Sequence, residues 1–267
     1  MTESFESRYG DLVTMFRQSV ERFAERPLYG VRKPDGWTWY TYRQIGELVD
    51  AFRAALAELG VERGERVACV SNNRIEWVIA WHAVQSLGAT WVPMYEKQQE
   101  KEQKHILTDS GAMVCLAGSA AAEQTLRAIQ ADVSGLKQIV GFSDQSERGF
   151  WNRLEAARAH PVPPIHPDGK TVCCIIYTSG TTGSPKGVRL KHEGLAKGVQ
   201  AGKLAIPFTA DDRSVAFLPW AHVFGQLELN TLTASGASMA ICEDAEKLLE
   251  MIAEVKPTLL VAVPRVW

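Results

Sequence analysis

The sequence lacks the features that mark several classes of protein. None of its five cysteines forms a CxxC pair, so neither a disulfide framework nor a zinc site is indicated. Its longest apolar runs, such as residues 259–264, fall far below the roughly 18 residues that a membrane span needs. The first residues have no basic stretch followed by an apolar one and do not resemble a signal peptide. We therefore expect a protein of the reducing cytoplasm.

The sequence also lacks an excess of either charge. It has 29 Lys and Arg residues against 31 Asp and Glu residues, a net charge of -2. This balance argues against a general nucleic-acid binder, which usually carries a strongly basic face. With 267 residues, of which 46% are hydrophobic and 22% charged, the chain can form one or two ordinary globular domains.

Short apolar runs alternate with amphipathic stretches along the chain, as is typical of βα units. We predict an α/β fold with layered, mostly parallel sheets flanked by helices. Residues 33–36, Lys-Pro-Asp-Gly, predict a hairpin turn. Thr41 and Gln44 predict a capping box at the start of one helix, and Asn73 with Glu76 predicts the start of the next.

Proline is concentrated in one place, with four of the 12 prolines in residues 159–169. This composition predicts a stiff connector at 159–170. The connector divides the chain into a first α/β subdomain at 1–158, which includes an N-terminal helix and the hairpin, and an incomplete second subdomain at 171–267. The early hairpin and helix can still pack on the second part, so this division of the sequence need not be a division in space.

A loop after the apolar run 171–177 carries the residues best suited to chemistry. Glycines let its backbone approach a ligand and turn N–H groups toward an anion, and hydroxyls and one lysine add further donors. The loop comprises Thr178, Ser179, Gly180, Thr181, Thr182, Gly183, Ser184, Pro185, Lys186 and Gly187. We interpret it as a polyphosphate cradle, the alternative being an ordinary Gly/Ser/Thr turn. It is not a Walker A loop, because Pro185 stands where the second glycine belongs and Gly187 follows Lys186.

Residues 177–188 resemble the signature phosphate loop of the AMP-forming adenylating superfamily, which comprises acyl-CoA synthetases, luciferases and peptide-synthetase adenylation domains. Residues 217–224, Phe-Leu-Pro-Trp-Ala-His-Val-Phe, resemble the acyl-site motif of that family, and residues 258–267 resemble the strand and turn that border its acyl tunnel. Residues 87–95 and 109–112 are most similar to long-chain fatty-acid–CoA ligases. The resemblance implies a truncated N-terminal domain of an adenylate-forming enzyme.

The resemblance also implies a reaction. A carboxylate oxygen of a long-chain fatty acid would attack the α-phosphate of ATP, pyrophosphate would leave, and the thiol of coenzyme A would then displace AMP. The implied ATP-binding residues are Thr178, Ser179, Gly180, Thr181, Thr182, Gly183 and Lys186. Lys186 would neutralise the departing pyrophosphate, and the Thr178 hydroxyl would lie near Mg²⁺.

His222 would act beside the substrate carboxylate and the α-phosphate, so that the implied catalytic residues are His222, Lys186 and Thr178. The alternative for His222 is a capping or core histidine. Phe224 and Trp220 would contact the acyl chain, or belong to the core. Gln226 stands where some long-chain members have a gating tryptophan, which puts that form of gating in doubt.

Several parts of the family pattern are missing from this chain. It contains no Tyr-Gly-x-Thr-Glu segment, ribose-binding aspartate, hinge or C-terminal domain with a catalytic lysine. We therefore expect a portion of a ligase that is inactive by itself. The alternatives are an adenylating enzyme for another carboxylic acid and a non-catalytic nucleotide or acyl binder. The implied partners are fatty acid, ATP and CoA, without nucleic acid; peripheral membrane contact and a homodimer stay open.

Overall fold

The structure, a computed structural model, describes residues 9–178 and 184–263. The strands in these ranges are β1 (Pro27–Lys33), β2 (Gly36–Thr41), β3 (Arg66–Val70), β4 (Thr90–Met94), β5 (Val114–Ala117), β6 (Gln138–Gly141), β7 (Val172–Thr178), β8 (Lys186–Lys191), β9 (Arg213–Ala216) and β10 (Ser238–Ile241). The α-helices are α1 (Leu12–Arg22), α2 (Tyr42–Glu58), α3 (Ile75–Ser86), α4 (Glu100–Ser110), α5 (Ala120–Ile129), α6 (Phe150–Ala157), α7 (His192–Ala205), α8 (Val223–Ser235) and α9 (Leu248–Val255).

The strands form two sheets. The larger sheet has the order β6-β5-β3-β4-β7-β8 and the smaller the order β2-β1-β10-β9. Each sheet is parallel except for one antiparallel hairpin at an edge, β7–β8 in the larger and β1–β2 in the smaller. The inner strands β4 and β5 are buried throughout, as expected for parallel strands covered on both faces. The predicted fold class, mostly parallel sheets flanked by helices, is confirmed.

The two sheets draw on both halves of the sequence. In the smaller sheet, Tyr29 of β1 pairs with Met239 of β10, although 210 positions separate them. In the larger sheet, Trp91 of β4 pairs with Cys174 of β7, across the proline-rich connector. The segments 1–158 and 171–267 each contribute to both sheets. The domain boundaries at 158 and 170 stay a prediction. Both sheets contain strands from before and from after the connector.

Several local predictions are confirmed. The Lys-Pro-Asp-Gly turn joins β1 to β2, and Gly36 has a φ of 129°, in the region that favours glycine. Thr41 caps α2: its side chain accepts from the Gln44 N–H at 3.2 Å, and the Gln44 amide oxygen accepts from the Thr41 N–H at 2.8 Å. This exchange satisfies two donors that the first turn of a helix leaves free.

Two local predictions differ from the structure. The helix predicted from Asn73 and Glu76 is present and begins at Ile75, but its cap is Arg74, because the Asn73 side chain bonds to a distant part of the chain. The strand expected over residues 258–267 is absent from the described part, residues 258–263. Only its beginning is attached to the sheet, where the N–H groups of Thr258 and Leu259 both donate to Arg213 O. A strand requires a continuing ladder of such bonds, which the described residues 260–263 lack, and residues 264–267 lie outside the described part.

Buried aromatic side chains join the two sheets. Trp77 of α3 lies 5.7 Å from Trp81, 5.2 Å from Trp91 of β4 and 5.5 Å from Trp220, between ring centroids. Trp220 in turn lies 6.4 Å from Tyr29 of β1. Such pairs contribute roughly 0.5–1.5 kcal/mol each beyond the area they bury. This cluster therefore resists separation of the sheets.

The five cysteines lie in the interior of the fold. Cys69, Cys115, Cys173, Cys174 and Cys242 are all buried and free. Burial raises the pKa of the Cys115 thiol, which disfavours the reactive thiolate. Within residues 9–178 and 184–263, no helix is both long enough and apolar enough to cross a bilayer.

Two buried histidines contact α1. The His82 ring stacks on Phe16 at 3.8 Å, and His192 Nδ1 accepts from the Leu12 N–H at 3.4 Å. Burial lowers the pKa of His82 to about 3. Burial also lowers the pKa of His192 to about 4, against the opposing effect of Asp11. Both rings are neutral in the folded protein over a pH range in which the unfolded chain takes up protons.

We predict that these two histidines lower the stability of the folded protein as the pH falls below the ordinary histidine pKa of about 6.5. Protonation then favours the unfolded chain, by about 2 kcal/mol per histidine at pH 5. His82→Phe retains a ring against Phe16 and should lose about 2 kcal/mol less than the wild type between pH 7.5 and pH 5. Urea unfolding across this pH range measures the difference. If the unfolding free energies of the wild type and His82→Phe fall in parallel with pH, the lowered pKa of His82 is contradicted.

Candidate functional site

The β7–β8 hairpin brings two of the predicted site residues together. Strand β7 passes through the core at Cys173 and Cys174 and reaches the surface at Thr178. Thr178 is the cross-strand partner of Lys186, the first residue of β8, and both are exposed. Directly opposed residues point to the same side of a sheet, so a hydroxyl and an ammonium group lie side by side. Ser179, Gly180, Thr181, Thr182 and Gly183 lie outside the described residues.

The donors at this hairpin suit phosphate oxygens. A threonine hydroxyl can donate to an anion, and a lysine ammonium adds a full positive charge and three donors. In the described ranges, no group of three or more His, Cys, Asp or Glu side chains is arranged to hold a metal ion. One hydroxyl is a fitting but partial ligand for Mg²⁺, which commonly takes most of its ligands from substrate phosphates and water.

His222 caps helix α8. Its Nδ1 accepts a hydrogen bond from the Phe224 N–H at 3.2 Å, so the capping role that the sequence left as an alternative is present. To accept there, Nδ1 must lack a proton, and the ring proton is then on Nε2. The His222 side chain is exposed, as is Phe224 at 39%. The capping hydrogen bond thus fixes the imidazole ring of His222 and leaves Nε2 as a donor for a ligand.

Trp220 lies in the core rather than at the surface. It is fully buried and packs on Trp77. This is the alternative that the sequence left open for it. Phe224, two residues beyond His222, is more exposed than Trp220.

Asn73 is an important residue that the sequence analysis misinterpreted. Its Nδ2 donates to Ala216 O at 3.1 Å and Leu218 O at 2.9 Å, and its Oδ1 accepts from the Trp220 N–H at 2.9 Å. The side chain is buried, with 5% of the residue exposed. It therefore holds the segment that leads from β9 to His222 against the end of β3. The sequence shows no signal for this role, because an asparagine three residues before a glutamate is also a helix-start pattern.

Gln226 connects the His222 segment to the hairpin strand. Its Nε2 donates to Trp220 O at 3.1 Å and lies 3.6 Å from the Cys174 Sγ in β7. Among the described residues, no hydrogen bond joins His222 directly to Thr178 or Lys186. The structure thus arranges the predicted residues in two groups that are linked through this glutamine.

An open cleft lies where strands of both sheets end. Its volume is about 720 Å³, within the range of ligand-binding clefts. Phe217, Pro219 and Ala221 of the His222 segment form one side, and Tyr95 and Glu96 after β4 contribute to another. The carboxyl ends of β3, β4, β9 and β10 all lead into this cleft. Parallel α/β sheets commonly bind ligands at this end.

We predict that Asn73→Asp destabilises the fold by about 3 kcal/mol, because a carboxylate would replace the donor between two carbonyl oxygens. Its exposed neighbour provides a matched control, and Asn72→Asp should change the unfolding free energy by less than about 0.5 kcal/mol. Urea unfolding at pH 7.5 measures both variants. Equal stabilities would show that the bonds from Asn73 contribute little.

The amino-acid sequence of this chain is similar to those of known proteins. The family described as AMP-binding enzyme matches residues 16–267. Long-chain-fatty-acid–CoA ligase FadD15 of Mycobacterium bovis is 30% identical over 240 residues, covering 86% of this chain and 40% of the relative. Long chain acyl-CoA synthetase 3 of Arabidopsis thaliana is 28% identical over 285 residues, covering 96% of this chain and 43% of the relative. The chain thus spans about two fifths of the length of these curated relatives.

Solved structures share the fold. The inhibitor-bound N-terminal domain of FACL13 from Mycobacterium tuberculosis aligns with a TM-score of 0.86 and 27% identity, over 97% of this chain and 64% of that chain. The anthranilate CoA ligase AuaEII in complex with anthranoyl-AMP aligns with a TM-score of 0.86 and 25% identity, over 97% of this chain and 51% of that chain. Since the family match covers most of its length, the chain belongs to the AMP-binding enzymes and has the fold of the N-terminal domain of an adenylate-forming enzyme.

Proposed function

We propose that the protein to which this chain belongs activates a long-chain fatty acid with ATP. A carboxylate oxygen attacks the α-phosphorus and pyrophosphate leaves; the thiol of coenzyme A then attacks the acyl carbonyl carbon of the acyl-adenylate and displaces AMP. The observation that carries the proposal is the Thr178–Lys186 pair at the carboxyl end of β7, in a chain of this family. The names of the relatives FadD15 and long chain acyl-CoA synthetase 3 support the choice of substrate.

Each described residue has a role in this proposal. Lys186 neutralises charge on the pyrophosphate as it departs, and Thr178 donates to a phosphate oxygen or binds Mg²⁺. When bound, Mg²⁺ would supply charge neutralisation on the phosphates. His222 donates from Nε2 to an oxygen of the carboxylate or the α-phosphate, and Phe224 contacts the acyl chain. Such positioning and charge stabilisation are the main contributions a protein makes to transfers of this kind.

The remaining proposals concern the setting. We place the protein in the cytoplasm, with fatty acid, ATP and CoA as its partners and no nucleic acid. The 267-residue chain by itself should catalyse little or no exchange of pyrophosphate into ATP in the presence of palmitate, because it lacks the family's adenine-binding segment and late lysine. Robust exchange by this chain would overturn that expectation.

Nucleotide binding by the full-length protein that contains these residues tests the role of Lys186. We expect ATP to bind, and Lys186→Met to weaken its affinity about tenfold or more, since a charge-assisted bond contributes about 1.5–3 kcal/mol. Lys191→Met removes the same charge from the other end of β8 and should change the affinity less than about twofold. Isothermal titration calorimetry measures both variants. Equal losses of ATP affinity in the two variants would show that only the overall charge matters. No ATP binding by the wild type would refute the interpretation of the loop as a polyphosphate cradle.

A pair of substitutions separates the two roles of His222. Asparagine is a good helix cap, so His222→Asn should keep the stability within about 0.5 kcal/mol, whereas His222→Ala should lose about 1 kcal/mol. Both variants lack Nε2 and should bind ATP about fivefold more weakly. Thermal unfolding and calorimetry make the comparison. An unchanged ATP affinity in His222→Asn would leave capping as the role of this residue.

The identity of the acid is tested in the full-length protein that contains these residues. Pyrophosphate exchange with palmitate should exceed exchange with anthranilate, the acid named with the structural relative AuaEII. Faster exchange with anthranilate would favour an adenylating enzyme for another carboxylic acid. ATP binding without exchange on either acid would favour a non-catalytic binder.

A further inference from the structure

The residues that flank the Thr178–Lys186 pair are both held by helix α4. Tyr177 immediately precedes Thr178, and its hydroxyl donates to Asp109 Oδ2 at 2.6 Å. Pro185 immediately precedes Lys186, and its carbonyl oxygen lies 2.9 Å from His105 Nε2. A carbonyl oxygen only accepts, so Nε2 carries the proton in this bond. His105 and Asp109 are four residues apart on α4 and share one face of the helix.

From these contacts we propose that His105 and Asp109 of α4 act as positioning residues that set the separation and direction of Thr178 and Lys186. The proposal rests on the role of that pair in binding polyphosphate. Neither α4 residue needs to touch the ligand. Each acts through the neighbour that it holds, one on either side of the phosphate loop.

Packing makes α4 a firm support. Ile106 and Leu107 are fully buried in the core cluster beneath the larger sheet, and Tyr177 packs against the same cluster. Strand β8, in contrast, is an edge strand with almost every residue exposed. Without α4, the position of Lys186 would depend on the hairpin ladder alone, because β8 is an edge strand and pairs with β7 on one side only.

Gly187 allows this arrangement. It is the cross-strand partner of Tyr177, and a Cβ at this glycine would lie 3.1 Å from Tyr177 Cζ and 3.3 Å from the hydroxyl oxygen. The tyrosine ring therefore lies across the glycine on its way to Asp109. His105 meets the ring edge-on, with centroids 6.4 Å apart and planes at 86°. Burial and the Asp109 carboxylate raise the pKa of Tyr177, so its hydroxyl keeps the proton that it donates.

The test combines two disruptive variants with a conservative one. Tyr177→Phe removes only the hydroxyl, and His105→Leu removes the donor together with the ring, so each should weaken ATP binding about threefold to tenfold. His105→Gln can still donate to Pro185 O and should bind ATP within about twofold of the wild type. Tyr40→Phe, on β2 in the other sheet, makes the same change away from the hairpin and should bind ATP like the wild type.

A second measurement separates this proposal from the proposed function. Hydrogen exchange at the amides of β8 that bond to β7 reports on the hairpin without any nucleotide. We expect faster exchange in Tyr177→Phe and His105→Leu, with wild-type exchange in His105→Gln and Tyr40→Phe. If the wild type binds no ATP, the proposed function fails while exchange still reports the support from α4. If ATP binds and its affinity is the same in all four variants, the positioning role is overturned.

Discussion

The buried amide of Asn73 is the interaction on which the arrangement of the two sheets depends. It makes three hydrogen bonds with backbone groups of residues 216–220, which follow a strand of the other sheet. Each of those groups is buried and would cost roughly 1–3 kcal/mol if left without a partner. The contact between Trp77 and Trp220 excludes water beside it. Together they bring the carboxyl ends of both sheets to one cleft and define the starting point of α8.

The consequences extend to His222, which lies two residues beyond this bonded segment. Because Asn73 holds the backbone at Trp220 and Gln226 holds its carbonyl, the turn before α8 has little freedom. His222 then closes the helix end with its own Nδ1. A side chain fixed in this way needs little further ordering when it meets a ligand, which reduces the entropic cost of binding. The same principle applies to Thr178 and Lys186, whose neighbours are fixed by α4.

Local signals were read correctly where the partners are close in sequence. Thr41 and Gln44 form their capping box as predicted, because the groups that satisfy each other are three residues apart. The hairpin turn at 33–36 is predictable for the same reason. Asn73 carries an equally good local pattern, yet its amide bonds across 143 positions or more. The gain from satisfying three buried backbone groups exceeds that of one exposed cap, and no local pattern reports it.

The same distinction applies to the candidate site. The order of the motifs was enough to indicate the family, whereas the anion-binding loop at residues 178–187 stays a prediction from its glycine, hydroxyl and lysine composition. The supports of the site were not predictable. His105 and Asp109 occur in a mixed, charged stretch that reads as a solvated helical face, and only the packing of α4 brings them to Tyr177 and Pro185.

The sequence by itself thus determined the fold class, the hairpin turn at 33–36 and the Thr41 cap, because these follow from backbone preferences and side-chain types within a few residues. The tertiary structure alone decided which strands share a sheet, that Trp220 is core, and which side chains contact the segment before His222 and the neighbours of Lys186. Those outcomes depend on burial and on hydrogen bonds between groups that only folding brings together.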